Sequence, residues 1–242
     1  MAARLSIITI CFNEADSIEK TLKSVTNQTF NDYEWIVVDG GSTDGTIDIL
    51  ERYRTKFITF FSGNDAGIYN AMNKAIALAT GEYLFFLNGG DYLFNRETLA
   101  QIFSHQLLAD FVYGDISIIG ENRSRLFSMP PKITPEFLYR KTIPHQSTFT
   151  KKTLFERAGM YDEQYLIVAD YEFILRSMHY YNATFQYVPV IFSCYTDDGV
   201  SSDSVKREKE KKLVHKQYYS FFQRIVLKHK IKTKLSKALG KK

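Results

Sequence analysis

Apolar residues in the first ninety positions come in blocks separated by polar punctuation. Residues 5–13, LSIITICFN, form an Ile-rich run, after which Ile18, Leu22 and Val25 recur at helical spacing before the turn-like NQTFND. YEWIVVDGG and KFITFFSGND repeat the strand signal on either side of STDGTIDILERY. AGIYNAMNKAIALATG follows, with Tyr69, Met72, Ile76 and Ala79 on one helical face and Gly81 as its stop, and EYLFFLN closes the series. Four strands alternating with three helices predict right-handed crossovers and a mainly parallel sheet with helices on both faces, an α/β, Rossmann-like fold class.

Beyond Asp91 the alternation loosens. NRETLAQIFSHQLL reads as a helix, DFVYGDISIIG as a strand and DYEFILRSMHYYN as a further helix, while RSRLFSMPPKITPEFLYRKTIPHQSTFTKK reads as Pro-bearing irregular chain. From about Val205 the composition turns Lys-rich, with Val214, Tyr218, Phe221, Phe222, Ile225 and Val226 at helical spacing. Residues 205–242 carry 14 Lys or Arg against two Glu, so a chain of net +4 divides into a tail of +12 and a body of −8. The expected organisation is therefore a domain over 1–204 and a basic amphipathic helical tail over 205–242. Such a tail suits an anionic membrane surface; a solvated helix packed by its apolar face is the alternative. The acidic body and the lack of a recognition motif argue against nucleic acid.

The two cysteines, Cys11 and Cys194, sit in or after apolar runs and read as buried core residues, with no disulfide framework or thiolate zinc site. MAARLSIITICFNE has no long apolar leader with a cleavage site, and no apolar run approaches the roughly 20 residues of a membrane span. The expected location is cytoplasmic, with the tail peripheral on the inner face of the cytoplasmic membrane.

Ligands of open parallel sheets bind beyond the carboxyl ends of the strands. Polar residues fall there four times: Asn13-Glu14, Asp39-Gly40-Gly41, Asn64-Asp65 and Asn88-Gly89-Gly90-Asp91. The first strand-to-helix turn, CFNEADS, lacks the glycines of a dinucleotide fingerprint, and no P-loop occurs. Carboxylates line the crevice instead. They suit sugar hydroxyls and base edges, and can hold a cation that screens phosphates. Asp44, just before a helix, reads as its cap.

The segments SIITICFNEADSIEKTLKSVTNQTFNDYEWIVVDGGSTDGT, GNDAGIYNAMNKAIALATGEYLFFLNGGD, PHQSTFTKKTLFERAGMYDE and ADYEFILR resemble, in order over roughly residues 4–200, the GT-A family 2 glycosyltransferases of bacterial surface-polysaccharide synthesis. The resemblance implies a GT-A (nucleotide-diphospho-sugar transferase) fold. It also implies inverting transfer of a sugar from a nucleotide-diphospho-sugar to the hydroxyl of a lipid-linked or oligosaccharide acceptor. It places Thr9, Asn13, Glu14, Asp39, Asp65, Tyr69, Asn73, Asn88, Gly89 and Gly90 on the donor side. Asp91 matches a metal ligand for Mg²⁺ or Mn²⁺, and Asp170 the catalytic base. His145 and Gln146 match an acceptor-side segment; Glu172 ranks behind Asp170, and DDGVS at 197–201 resembles a loop near the donor phosphates. The family usually ends this strand with several carboxylates around Asp-x-Asp, whereas here Asp91 alone is charged. A noncatalytic sugar-nucleotide-binding or scaffolding protein of the same fold is the alternative, with a nucleotidyltransferase behind it. Retention of Asp91 and Asp170 favours the transferase.

Overall fold

A computed structural model describes residues 3–57, 59–120, 124–196, 203–218 and 220–223. The first four strands are β1 (Leu5–Cys11), β2 (Tyr33–Asp39), β3 (Thr59–Ser62) and β4 (Tyr83–Phe86). Between them run α1 (Ile18–Thr26), α2 (Thr46–Arg52) and α3 (Ile68–Leu78). These strands pair in parallel in the order β3-β2-β1-β4.

Side-chain alternation along the strands builds a core on each face. Ile8, Ile10, Ile36, Val38, Leu84 and Phe86 meet α3 on one side. Leu5, Ile7, Trp35, Val37 and Phe85 meet Ile18, Leu22 and Val25 of α1 and Leu50 of α2 on the other. α3 ends three residues before Gly81, and Gly81 serves a different purpose. A Cβ there would lie 2.6 Å from Ser6 N, so glycine permits close approach to β1. The Asp44 carboxylate accepts from Thr46 N at 3.0 Å and from Ala15 N at 3.0 Å, tying the start of α2 to the loop after β1.

The second half has more elements than its sequence pattern predicts. β5 (Tyr92–Leu93), α4 (Thr98–Phe103) and β6 (Phe111–Ile119) are followed by β7 (Ser124–Phe127), α5 (Pro135–Arg140), β8 (Thr148–Lys151) and α6 (Lys152–Ala158). The stretch expected to be irregular thus holds two strands and the helix α5, and ends where α6 begins. α7 (Ala169–Tyr181), β9 (Phe185–Thr196) and α8 (Ser204–Gln217) complete the described chain. The sheet continues β4-β8-β6-β9-β5, with β7 on β6. β8 runs antiparallel to β4 and β6, while β6 and β9 are parallel, and the two longest ladders, β1–β2 and β6–β9, are both parallel.

α8 is not detached from the body at residue 205. Val214, Tyr218 and Phe222 are buried in the same core as α3 and α7, each apolar side chain contributing about 1.5–3 kcal/mol by leaving water. No helix among the described residues is long and apolar enough to cross a membrane. The 197–201 loop, Ile225, Val226 and the rest of the basic tail from 224 onward lie outside the described residues.

Candidate functional site

The parallel strands β1 to β4 end on one edge of the sheet. Because β8 is antiparallel to β4, the residues just before β8 arrive at that same edge. The parallel pair β6–β9 delivers Ile118, Tyr195 and Thr196 there too. A cleft of about 1430 Å³ opens along this edge, and it gathers Glu14, Asp65, Tyr69, Asn88, Gly89, Gly90, Asp91, His145, Gln146 and Asp170.

The other expected site residues hold the frame. The Thr9 hydroxyl is buried in β1 and accepts from Trp35 Nε1 at 3.0 Å. Asn13 Oδ1 accepts from Thr43 N at 2.9 Å. Asp39 is fully buried and accepts from Gly41 N, Ser42 N, the Ser42 hydroxyl and the Ser62 hydroxyl, which is the turn-carboxylate arrangement its DGGSTDG setting allows. Asn73 clamps the chain at Tyr161 and Glu163, through Nδ2 to Tyr161 O at 3.0 Å and Oδ1 from Tyr161 N at 3.0 Å. Glu172 is 2% exposed and does not line the cleft. It takes the Tyr218 hydroxyl at 2.5 Å and pairs with Arg176 at 3.0 Å.

Within the cleft, Asp170 sits in the first turn of α7, where the helix dipole favours an anion. Its side chain is 16% exposed. Oδ1 accepts from Tyr171 N at 2.8 Å and lies 3.1 Å from the Tyr69 hydroxyl, which also reaches Ile167 O at 2.8 Å. Oδ2 lies 3.3 Å from His145 Nδ1. Burial, reinforced by the charge of Asp170, pushes the Tyr69 phenol well above its usual range, so it works as a hydroxyl donor.

Asp91 is surrounded differently. It is 8% exposed, and burial pushes its carboxyl up to about 7, with Glu14 adding to the rise while His145 and a hydrogen bond from Gln146 oppose it. Gly89 lines the cleft and makes room for Glu14, since a Cβ there would lie 2.9 Å from Glu14 Cγ. Two buried oxygens on the cleft, Asn88 Oδ1 and Asp65 Oδ2, have no hydrogen-bond partner among the described residues. Asp65 does pair with Lys74 through its other oxygen.

No group of three or more His, Cys, Asp or Glu fit to hold a metal occurs among the described residues. The buried Asp91 carboxylate and the unpartnered Asn88 Oδ1, three residues apart and both lining the cleft, are nonetheless oxygen ligands suited to a hard cation. Mg²⁺ in particular binds through one or two carboxylates and completes its shell with water and substrate phosphates.

Two residues of the site escaped the sequence pattern. Phe12 leaves its ring 59% exposed on the cleft, resting on Gly40. Its signal is a large apolar residue placed one step past a buried strand. Glu210 of α8 is buried, and its carboxylate accepts from Leu166 N at 3.0 Å, Ile167 N at 2.9 Å and Val168 N at 3.3 Å. It thereby satisfies the orphan donors leading into α7 and fixes the approach to Asp170.

The family model described as glycosyl transferase family 2 matches residues 6–166. A PGL/p-HBAD biosynthesis glycosyltransferase of Mycobacterium tuberculosis is 32% identical over 220 residues, covering 88% of this chain and 84% of that protein. Among solved structures, S. aureus TarS 1-349 in complex with UDP-GlcNAc is similar with a TM-score of 0.65 at 25% identity, over 83% of this chain and 61% of that one. The chain thus spans about three fifths of that TarS chain. A mannosyltransferase from Pyrobaculum calidifontis, PcManGT in complex with GDP-Man and Mn²⁺, is similar with a TM-score of 0.64 at 20% identity over 86% of this chain and 61% of that one, a likeness of fold.

Proposed function

The chain belongs to glycosyl transferase family 2 and has the GT-A fold, and from that premise we propose that it is an inverting, metal-assisted transferase of cell-surface polysaccharide synthesis. Its donor is a nucleotide-diphospho-sugar and its acceptor a hydroxyl of a lipid-linked or oligosaccharide molecule. The observation that carries this reading is the position of Asp170 in the cleft, with hydrogen-bond partners on both oxygens and with Asp91 and two orphaned acceptor oxygens lining the same cavity.

In this reading Phe12 offers its exposed face to the nucleobase, and Asp65 Oδ2 takes a donor hydroxyl. The acceptor oxygen forms its bond to the anomeric carbon on the face opposite the diphosphate. The bond from that carbon to the diphosphate oxygen breaks, and its electron pair leaves with the nucleoside diphosphate. Asp170 takes the acceptor's proton late, as charge develops on the attacking oxygen, because a carboxylate is a weak base for an alcohol. Asp91, with Asn88 Oδ1, would hold the divalent cation, which when bound screens the charge accumulating on the diphosphate.

A panel beginning with UDP-GlcNAc and GDP-Man, the ligands of the similar structures, tests the reading through release of nucleoside diphosphate with Mg²⁺ or Mn²⁺ present. Release of the nucleotide together with a product of inverted anomeric configuration is expected. Binding without release across a range of acceptors would favour a noncatalytic sugar-nucleotide-binding protein, and release of pyrophosphate a nucleotidyltransferase.

A further inference from the structure

The asparagine that ends β4 has a specific neighbour. Asn88 Nδ2 lies 3.2 Å from His145 Nε2, and on the far side of the ring Nδ1 lies 3.3 Å from Asp170 Oδ2. An amide nitrogen can only donate, so Nε2 accepts and carries no proton. The ring's single proton is then on Nδ1, facing a carboxylate oxygen that accepts it. Turning the amide over would put Oδ1 against Nε2, which then needs a proton, leaving either a bare Nδ1 against Asp170 Oδ2 or a doubly protonated ring. The amide would also bury two N–H groups where one unpartnered Oδ1 now lies.

This order of donors bears on the chemistry because the two oxygens of Asp170 are not equivalent. Oδ1 is taken by Tyr171 N and neighboured by the Tyr69 hydroxyl. Oδ2 has His145. By elimination, the lone pair open to an incoming proton is the second one on Oδ2.

We propose that Asn88 is a positioning residue that sets His145 in the Nδ1–H tautomer, so that His145 turns Asp170 to present Oδ2 to the acceptor hydroxyl. The inference rests on Asp170 being the base of the transferase reading above. An aspartate at 88 could not substitute. As an acceptor only, it calls for a proton on Nε2, which leaves either a bare Nδ1 against Asp170 or a doubly protonated ring between two carboxylates. Changing one side-chain atom, NH₂ to O, thus reverses the direction of the whole chain of hydrogen bonds.

Free histidine in water prefers its proton on Nε2, so the expected tautomer is not the default. The test is ¹⁵N NMR of the full chain labelled at its five histidines, at pH 8, with the His145 signals identified by their loss in His145→Gln. The parent should show a protonated Nδ1 and a bare Nε2. Asn88→Asp should move the proton to Nε2 or add a second one, and Asn88→Ala, which removes the donor without adding charge, should give a mixture of tautomers. With a nucleotide sugar that the parent turns over, kcat at saturating donor and metal should fall about tenfold or more in Asn88→Asp, within the range of positioned proton transfer. A parent ring protonated on Nε2, or an unchanged tautomer in both variants, would overturn the inference. An expected tautomer in a parent that turns over no nucleotide sugar would strike the transferase reading and leave the hydrogen-bond assignment standing.

Discussion

Asp91 and Asp170 face one cleft, but the chain treats the two carboxylates in opposite ways. Asp91 closes the turn after β4 with few donors around it, and its burial disfavours the charged form. Asp170 opens α7 with a backbone N–H, a tyrosine hydroxyl and an imidazole arranged on its two oxygens. A buried carboxylate short of donors is completed by a cation, whereas one held on both oxygens has a fixed direction in which to take a proton. In the transferase reading proposed above, the difference fits Asp91 to the donor's charge and Asp170 to the acceptor's proton.

The sharpest break of this comparison is Asp170→Asn. Turnover should fall about 10²–10⁴-fold, the range for a positioned acid or base. Donor affinity measured by calorimetry should change by less than about threefold, since the proposed mechanism gives Asp170 the acceptor's proton and not the donor. A loss of donor binding in step with turnover would move Asp170 into the same role as Asp91.

Glu210 tests whether the direction of Asp170 is imposed from α8. Glu210→Ala should cost about 2–3 kcal/mol in denaturant unfolding, because three buried N–H groups lose a charged acceptor. Glu210→Gln keeps one acceptor oxygen and should cost about half as much. Turnover should drop in the order parent, Gln, Ala with donor KM nearly constant. A fall in stability with no change in kcat would separate the α8 contact from the site.

A further test concerns Asp91 in the metal-free protein. Its folded-state pKa of about 7 lies above the ordinary aspartate value, so the folded chain binds this proton more tightly than the unfolded one. The stabilisation this gives is fully present below the unfolded value of about 4 and is lost as pH rises through 7. With chelator present, Asp91→Asn should therefore match the parent near pH 4. By pH 8 it should exceed the parent by about 4 kcal/mol, the gap from about 4 to about 7 at about 1.4 kcal/mol per pH unit. A variant less stable than the parent at pH 8 would contradict a carboxyl whose charged form is disfavoured by burial.

The same contrast between regions explains what the sequence pattern revealed. β1 to β4 each occupy one apolar run bounded by Gly, Asn or Asp, and parallel crossovers force a helix between them, so periodicity alone outlines this half. In the second half the boundaries are silent. β8 passes into α6 between Lys151 and Lys152 with no Gly or Pro, and β7 is a short, largely exposed Ser-Arg-Leu-Phe strand that only pairing with β6 defines. α5 did carry a signal, Thr134 capping Phe137 N with proline at its first position.

Among the expected site residues, Glu14, Asp65 and Asn88 to Asp91 reach the cleft because they follow strand ends that topology brings to one edge. Asn13 and Asp39 also sit at strand ends but bond neighbouring loops, and for Thr9, Asn73 and Glu172 too, whether a polar side chain faces the cleft or a buried partner depends on contacts the local pattern does not show. Glu210 was masked by the lysines around it. It nonetheless shares a helical face with Val214 and Tyr218 at intervals of four, and a glutamate on a buried face must have partners.

The most direct test of the division between the two carboxylates is the number of protons released when Mn²⁺ and a nucleotide sugar bind, obtained from calorimetry in buffers of different ionisation enthalpy. The diphosphate of a nucleotide sugar is a diester and does not itself titrate near neutrality. At pH 6 the parent should release about one proton as Asp91 gives up its own to the cation, and almost none at pH 8. Asp170→Asn should behave as the parent does, and Asp91→Asn should release none. Release that persists without Asp91, or that vanishes without Asp170, would contradict the account.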